Sequence, residues 1–97
     1  MVPELICLDI RKLDYAEYSQ IRRSIQDLGS EGIQEIVFDM RQILSVDSAS
    51  IGFLISLVST AQSLSVQLFS RNLNPQVEVL FEQTRLNNLI RPFEDSE

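Results

Sequence analysis

Short apolar runs and longer apolar stripes alternate along the chain. Three runs are short and nearly continuous, as in buried β-strands: residues 5–10, 33–40 and 66–69. Three stripes repeat every three or four residues, as in amphipathic helices, after Asp14, over residues 53–64 and after Pro75. This order predicts an α/β fold with parallel strands joined by helical crossovers.

Capping residues mark several ends of these predicted helices. Asp14 is a typical N-cap for the first helix, and Glu17 three residues later completes a capping box. An Asn-Pro pair at 74–75 is a typical start for the third helix. Gly29 and Gly32 are predicted to be the C-cap and turn glycines that end the first helix.

A polar segment at residues 46–52, Val-Asp-Ser-Ala-Ser-Ile-Gly, connects the second strand to the second helix. The strand before it contains the run 36–38, whose apolar character on both faces predicts a central strand. Hydroxyls and a carboxylate at such a junction lie beside the free N–H groups that open a helix, where an anion, a phosphoryl group or a partner's cation can bind. Asp47 and Ser48 are also common capping residues, so a purely structural role stays open for both.

Composition narrows the classes of function. The chain has 97 residues, enough for one domain, with 8 Lys and Arg against 14 Asp and Glu, a net charge of −6. This acidic balance argues against DNA or RNA as the main partner and against a basic membrane-surface helix. A basic protein partner suits the overall charge better.

Several kinds of site and location are not expected. The chain has no histidine and one cysteine, Cys7, which excludes a Ser-His-Asp or Cys-His catalytic group and argues against a zinc, haem or iron–sulfur site. We therefore expect no cofactor and no metal. A single cysteine favours the cytoplasm, and the sequence contains no apolar run of about 18 residues and no signal-peptide pattern at its start. The acidic tail at 94–97 is predicted to fray.

Taken together, these motifs resemble the STAS domain, the fold of anti-sigma-factor antagonists. The segments that carry the resemblance are Leu13-Asp14 ("LD"), residues 36–39 ("vvlDl"), residues 46–48 with 51–52 ("DSSGLG"), residues 72–77 ("n-spevr") and Arg85-Leu86 ("gL"). The resemblance covers nearly the whole chain. It implies one STAS-like domain over residues 1–97, with a small mixed four-stranded sheet, helices packed mainly on one face, and a protein-binding role.

Four positions depart from the family pattern. Ala49 occupies the place of the serine that the family phosphorylates, and Ser50 replaces the glycine after it. The glycine before "LD" is replaced by Arg11-Lys12, and the glycine between the second helix and the next strand by Leu64-Ser65. The first two departures fall on the regulatory site, whereas the other two are expected to affect turn geometry only.

Ala49 has no hydroxyl and cannot accept a phosphoryl group. Three hypotheses follow: the protein binds its partner constitutively; Ser48 or Ser50 is a shifted phosphosite; or the segment is only a helix start. A shift of one residue rotates a helical side chain by about 100°. Phosphoryl transfer depends chiefly on positioning, which favours constitutive binding over a shifted site.

The resemblance implies a non-enzymatic module that binds an anti-sigma factor or a serine-kinase-like regulatory protein in a partner-switching pathway. The alternative is a small STAS subunit of a membrane transport complex of the lipid-transport ATPase type, without direct membrane insertion. An enzyme using Asp47 and Ser48 is not expected, because no suitable base or glycine-rich phosphate loop is present. The predicted partner-binding residues are Asp39, Asp47, Ser48, Ala49, Ser50, Gly52 and Phe53.

Some of these residues also have simpler interpretations. Asp39 ends a strand and is interpreted first as a solvated charge, and second as a residue beside the switch. Phe53 lies at the edge of an apolar helix face, which favours core packing over partner docking. Tyr15 and Tyr18 are expected to be packing residues. Ser50 in place of glycine raises helix propensity in the first turn.

Overall fold

Strands and helices alternate in the computed structural model, which describes residues 5–93. The strands are β1 (Leu5–Asp9), β2 (Glu35–Asp39), β3 (Gln67–Arg71) and β4 (Ile90–Pro92). The helices are α1 (Tyr15–Ser30), α2 (Ser48–Ser63) and α3 (Pro75–Gln83), and a short 3₁₀ helix (Leu86–Asn88) precedes β4. The predicted α/β alternation is confirmed. The tail at 94–97 lies outside the described residues.

The four strands form one sheet in the order β1-β2-β3-β4, and each neighbouring pair is parallel. β2 is central, as its apolar run predicted. Within residues 5–93 the sheet contains no antiparallel pair, so this part lacks the mixed pairing that the family resemblance implied. The physical reason is the connections: a helix lies between each strand and the next and returns the chain in the same direction.

The helices pack against one face of the sheet. On that face Ile36 and Phe38 of β2 are fully buried, and Ile6 and Leu8 of β1 pack against the same core. The alternate residues of β1, including Cys7, are exposed on the opposite face. These observations confirm the predicted arrangement of helices mainly on one side.

Asp14 and Asn74 cap α1 and α3 as the sequence predicted. The backbone N–H of Glu17 donates to Asp14 Oδ1 at 2.9 Å, and Asn74 Oδ1 accepts from the backbone N–H of Gln76 at 2.9 Å. Pro75 is the first residue of α3. Both helices therefore begin at a side-chain oxygen that satisfies a free N–H group.

The predicted C-cap role of Gly29 is wrong. Helix α1 continues to Ser30 and its C-cap is Glu31, so Gly29 lies inside the last turn. A Cβ atom at Gly29 would lie 3.2 Å from the Cβ and Cδ1 atoms of Leu64 and 3.3 Å from Cγ2 of Val66. The glycine permits close approach between α1 and the end of α2, whereas Gly32 adopts a positive φ of 94° and makes the turn.

Helix α2 begins earlier than the apolar stripe indicated. The stripe predicted residues 53–64, but the helix runs from Ser48 to Ser63, with Asp47 as its N-cap. The first turn is small and polar, so it adds no apolar periodicity to the pattern. At the other end, within the Leu64-Ser65 segment where the resemblance leads us to expect a glycine, Ser65 adopts φ 59°, the left-handed conformation that glycine favours.

Candidate functional site

Asp47 organises the start of α2. Its Oδ1 atom accepts from the backbone N–H of Ser50 at 2.8 Å, and its backbone oxygen accepts from Ile51 N at 3.0 Å. Hydrogen bonds from the backbone and side chain of Ser50 lower the pKa of the Asp47 carboxyl. Asp47 is therefore the N-cap, and Ser48 is an exposed first helical residue rather than a cap.

The first two turns of α2 present small side chains to solvent. Ser48, Ala49 and Gly52 are exposed, and a Cβ atom added at Gly52 would meet nothing within 4 Å. Ser50 differs from them: it is half-buried, and its hydroxyl lies 3.5 Å from the backbone oxygen of Leu13. Ser50 thus faces the β1–α1 loop, whereas Ser48, Ala49 and Gly52 face outward.

An aromatic group lies beside this small-residue surface. The rings of Phe53 and Tyr18 are stacked with their centroids 4.9 Å apart. The centroid of the Tyr15 ring lies 6.4 Å from that of Phe53. The Tyr18 hydroxyl and Ser56 Oγ are 2.7 Å apart, which joins α1 to α2. Phe53 is half-buried and outside the core cluster, so the predicted core packing does not describe it. Tyr15 is 70% exposed and forms the outer edge of the group.

Asp39 is buried, with 8% of its surface exposed, so its interpretation as a solvated charge is wrong. Its carboxylate accepts from Arg41 through the backbone N–H at 3.1 Å, Nε at 3.2 Å and Nη2 at 3.1 Å. Asn72 Nδ2 donates to it at 3.2 Å. Burial raises the pKa of Asp39, but the hydrogen bonds from Arg41 and Asn72 outweigh it and hold the pKa below its ordinary value.

The predicted site residues therefore fall into two groups. The residues from Asp47 to Phe53 lie together on the first two turns of α2. Asp39 lies at the end of β2 and contacts Arg41 in the β2–α2 loop and Asn72 after β3. It links two loops at the carboxyl edge of the sheet instead of contributing to the surface of α2.

A groove that the sequence interpretation missed lies next to Ser50. We call it the basic groove; it has a volume of about 320 Å³ and is lined by residues 11–13, residues 42–45 and Ser50. Its signal in the sequence is Arg11-Lys12, a departure from the family pattern that was expected to affect turn geometry only. Because the loops after β1 and β2 leave the same edge of a parallel sheet, these cations lie close to the start of α2.

Within residues 5–93, the side chains of Asp, Glu and Cys form no group of three or more that could hold a metal ion. None of the helices in this range is long and apolar enough to cross a membrane.

Comparison with known proteins places this fold. A STAS domain family model matches residues 6–97. The protein TM1081, solved by NMR, matches with a TM-score of 0.77 and 18% identity over 97% of this chain and 77% of that protein. The Bacillus cell fate determinant SpoIIAA in its phosphorylated form matches with a TM-score of 0.66 and 17% identity, covering 97% and 86% of the two chains. No curated protein matches the sequence.

Proposed function

The chain belongs to the STAS domain family, and from this premise we propose that it is a non-enzymatic module that binds a partner protein through the start of α2. The resemblance to anti-sigma-factor antagonists suggests an anti-sigma factor or serine-kinase-like regulator as the partner. Binding would occupy that regulator and release the protein it otherwise holds, which is a signalling role in transcription. The chemistry is occupancy of a surface, with no bond made or broken.

One observation carries this proposal: α2 begins with an uncrowded surface of small, exposed residues. Ser48, Ala49 and Gly52 are exposed and small, so a partner's backbone or side chains can approach the helix closely. The cap at Asp47 fixes the first turn, and the half-buried ring of Phe53 adds apolar area beside it. The aromatic ring is of the kind enriched at protein interfaces, and the small residues beside it leave space for close approach of a partner.

We propose further that binding is constitutive. A phosphate adds about −1.5 to −2 charge and strong acceptor oxygens, which disrupt an interface that contains acidic groups. The exposed methyl group of Ala49 cannot receive one. Ser48 and Ser50 are the competing acceptors; the hydroxyl of Ser50 faces the backbone of Leu13, and that of Ser48 is exposed one position from Ala49.

A cytoplasmic location belongs to the same proposal, because the exposed single thiol of Cys7 would remain free in a reducing compartment. The second candidate function is a subunit of a membrane transport complex. Ala49 favours that candidate too, since STAS subunits of this type resemble the present chain in lacking the phosphorylated serine.

Capture of the partner by matched variants tests the proposed function. Tagged wild-type protein, Gly52→Trp and Val79→Trp are expressed in the source cells, and bound proteins are identified by mass spectrometry. Both substitutions place an indole at an exposed helical position, Gly52 on α2 and Val79 on α3. We expect a kinase-like regulator to bind wild type and Val79→Trp but to lose at least tenfold in recovery with Gly52→Trp.

Other outcomes decide between the alternatives. If Gly52→Trp and Val79→Trp recover the partner protein equally well, the start of α2 is not the binding surface. Recovery of a transporter ATPase would favour the transport-complex function. Phosphate on Ser48 or Ser50 in the captured protein would overturn constitutive binding, and turnover of a phosphoester that is lost in Asp47→Ala would overturn the non-enzymatic assignment.

A further inference from the structure

The basic groove has a charge opposite to that of the whole protein. The chain carries a net charge of −6, yet the ionisable residues that line this groove are Arg11 and Lys12. Its lining residues include no carboxylate. A local positive site on an acidic protein selects for negative groups on a ligand, because like charges elsewhere repel an acidic ligand that docks in the wrong place.

The two cations are available to a ligand. Both side chains are exposed, and among residues 5–93 neither forms an ion pair. Two carboxylates, those of Asp9 and Glu17, line an adjacent pocket together with Arg11. Arg41 differs, since it is held by Asp39. A carboxylate entering the groove would therefore meet charges that form no ion pair with any residue between 5 and 93.

An apolar side chain lies beside these cations. Leu44 is 67% exposed, an unusually open position for a leucine. Ile43 and Leu13, which flank it in the lining of the groove, are buried. The groove thus combines two cations with an apolar edge, and a complementary ligand carries a carboxylate next to an aliphatic side chain.

The basic groove adjoins the start of α2. Arg11, Lys12 and Ser50 line the same cavity. The hydroxyl of Ser50 lies 3.5 Å from the backbone oxygen of Leu13, the residue after the two cations. The groove is therefore adjacent to the surface assigned to partner binding.

We infer that the basic groove binds an acidic segment of the partner protein, with a carboxylate at Arg11 and Lys12 and an aliphatic side chain against Leu44. This inference rests on the proposed function, because it extends the docking surface from α2 to the β1–α1 and β2–α2 loops. It also reverses locally the expectation from net charge, which favoured a basic partner.

A peptide titration followed by NMR tests the groove directly. The probe is an acetylated, amidated peptide, Gly-Leu-Glu-Asp-Leu-Glu-Glu-Gly, and its control replaces every Glu by Gln and the Asp by Asn. We expect the acidic peptide to shift the amide signals of residues 11–13, 42–45 and Ser50 in the labelled protein. The neutral peptide should bind at least about tenfold more weakly, a difference of about 1.4 kcal/mol.

Charge-reversal variants provide the matched control. Arg11→Glu with Lys12→Glu should weaken the acidic peptide at least about tenfold, and Arg22→Glu with Arg23→Glu, the same charge change on exposed positions of α1, should weaken it less than about threefold. If the first pair perturbs folding, Arg11→Gln with Lys12→Gln replaces it. Equal loss in both pairs, or equal shifts with the neutral peptide, would overturn the inference.

The same variants separate this inference from the proposed function in the capture experiment. Loss of the partner with both Gly52→Trp and the Arg11/Lys12 variant supports both. Loss with Gly52→Trp alone keeps the α2 surface and overturns the role of the groove. Retention of the partner by every variant overturns both.

Discussion

Asp39 joins two loops at the carboxyl edge of the sheet. Its carboxylate accepts three hydrogen bonds from Arg41 and one from Asn72. Asn72 holds a positive φ of 59°, a conformation that asparagine tolerates better than most residues. The buried carboxylate therefore stabilises a strained residue after β3 and Arg41, the second residue of the path from β2 to α2.

The depressed pKa of Asp39 makes this contribution depend on pH. A carboxyl whose pKa is lower in the folded than in the unfolded state stabilises the fold above the unfolded pKa, and the contribution is lost as the pH falls through the folded pKa. We expect Asp39→Asn to lower the free energy of unfolding at pH 7, because the hydrogen bonds to the carboxylate are weakened. The loss should be only about 1 kcal/mol, since the Arg41 side chain is largely exposed to solvent. Urea unfolding measured from about pH 7 to about pH 2 should show the difference shrinking towards acid.

Asp9→Asn is the matched control for Asp39→Asn. Asp9 ends β1, is exposed and is the register partner of Asp39. The same charge is removed one strand away, so a general electrostatic effect would appear in both variants. A pH-independent loss in Asp39→Asn, or an equal loss in Asp9→Asn, would contradict the assigned role.

Ser65 is a second residue whose backbone conformation predicts a mutational effect. Its φ of 59° costs a residue with a Cβ atom about 1–2 kcal/mol of stability. Glycine avoids this cost, but its larger conformational entropy in the unfolded state offsets part of the gain. We expect Ser65→Gly to raise the free energy of unfolding by about 0.5–1 kcal/mol, or roughly 2–8 °C in Tm. Ser59→Gly, at an exposed position within α2, should instead lower it by about 0.5 kcal/mol. Thermal unfolding followed by circular dichroism would detect the opposite signs.

At the scale of elements, two helical glycines predict opposite outcomes for one substitution. A Cβ atom at Gly52 would enter open space, so Gly52→Ala should gain about 0.5–1 kcal/mol of stability from helix propensity. A Cβ atom at Gly29 would press on Leu64 and Val66 at 3.2–3.3 Å, where α1 meets the end of α2. We expect Gly29→Ala to lose about 1 kcal/mol, since crowding exceeds the gain in propensity. Denaturant midpoints of the two variants check this, and a stabilised Gly29→Ala would show that the helices separate easily.

The alternation of elements could be predicted from apolar periodicity, but their contacts could not. β4 was missed by pattern because Ile90–Pro92 is too short to show a period, and only the family resemblance implied a fourth strand. The early start of α2 was missed because its first turn is small and polar, whereas the cap at Asp47 was among the predicted options. Gly29 was misassigned because glycine at a helix end is usually a cap, and tertiary packing decides otherwise.

The candidate site could be predicted in the same partial way. The residues from Asp47 to Phe53 are contiguous, so the sequence alone brought them together on α2. Asp39 and the basic groove depend on loops that meet only in the folded sheet. The sequence therefore carried no local signal that Arg41 and Asn72 bind Asp39. It also carried no local signal that the cations at residues 11–12 line a groove.

At the scale of the whole molecule, added salt should raise the thermal stability of the acidic protein and lower the affinity of the basic groove for an acidic peptide. The net charge of −6 produces self-repulsion that salt screens, so Tm at pH 7 should rise by about 2–5 °C between about 0.05 and about 0.5 M sodium chloride. Attraction of the acidic peptide to Arg11 and Lys12 is screened over the same range, and its affinity should fall at least about threefold. Calorimetric Tm and NMR titration on one sample series measure both. Affinity that stays constant while Tm rises would mean that the peptide contacts Leu44 without using the two cations.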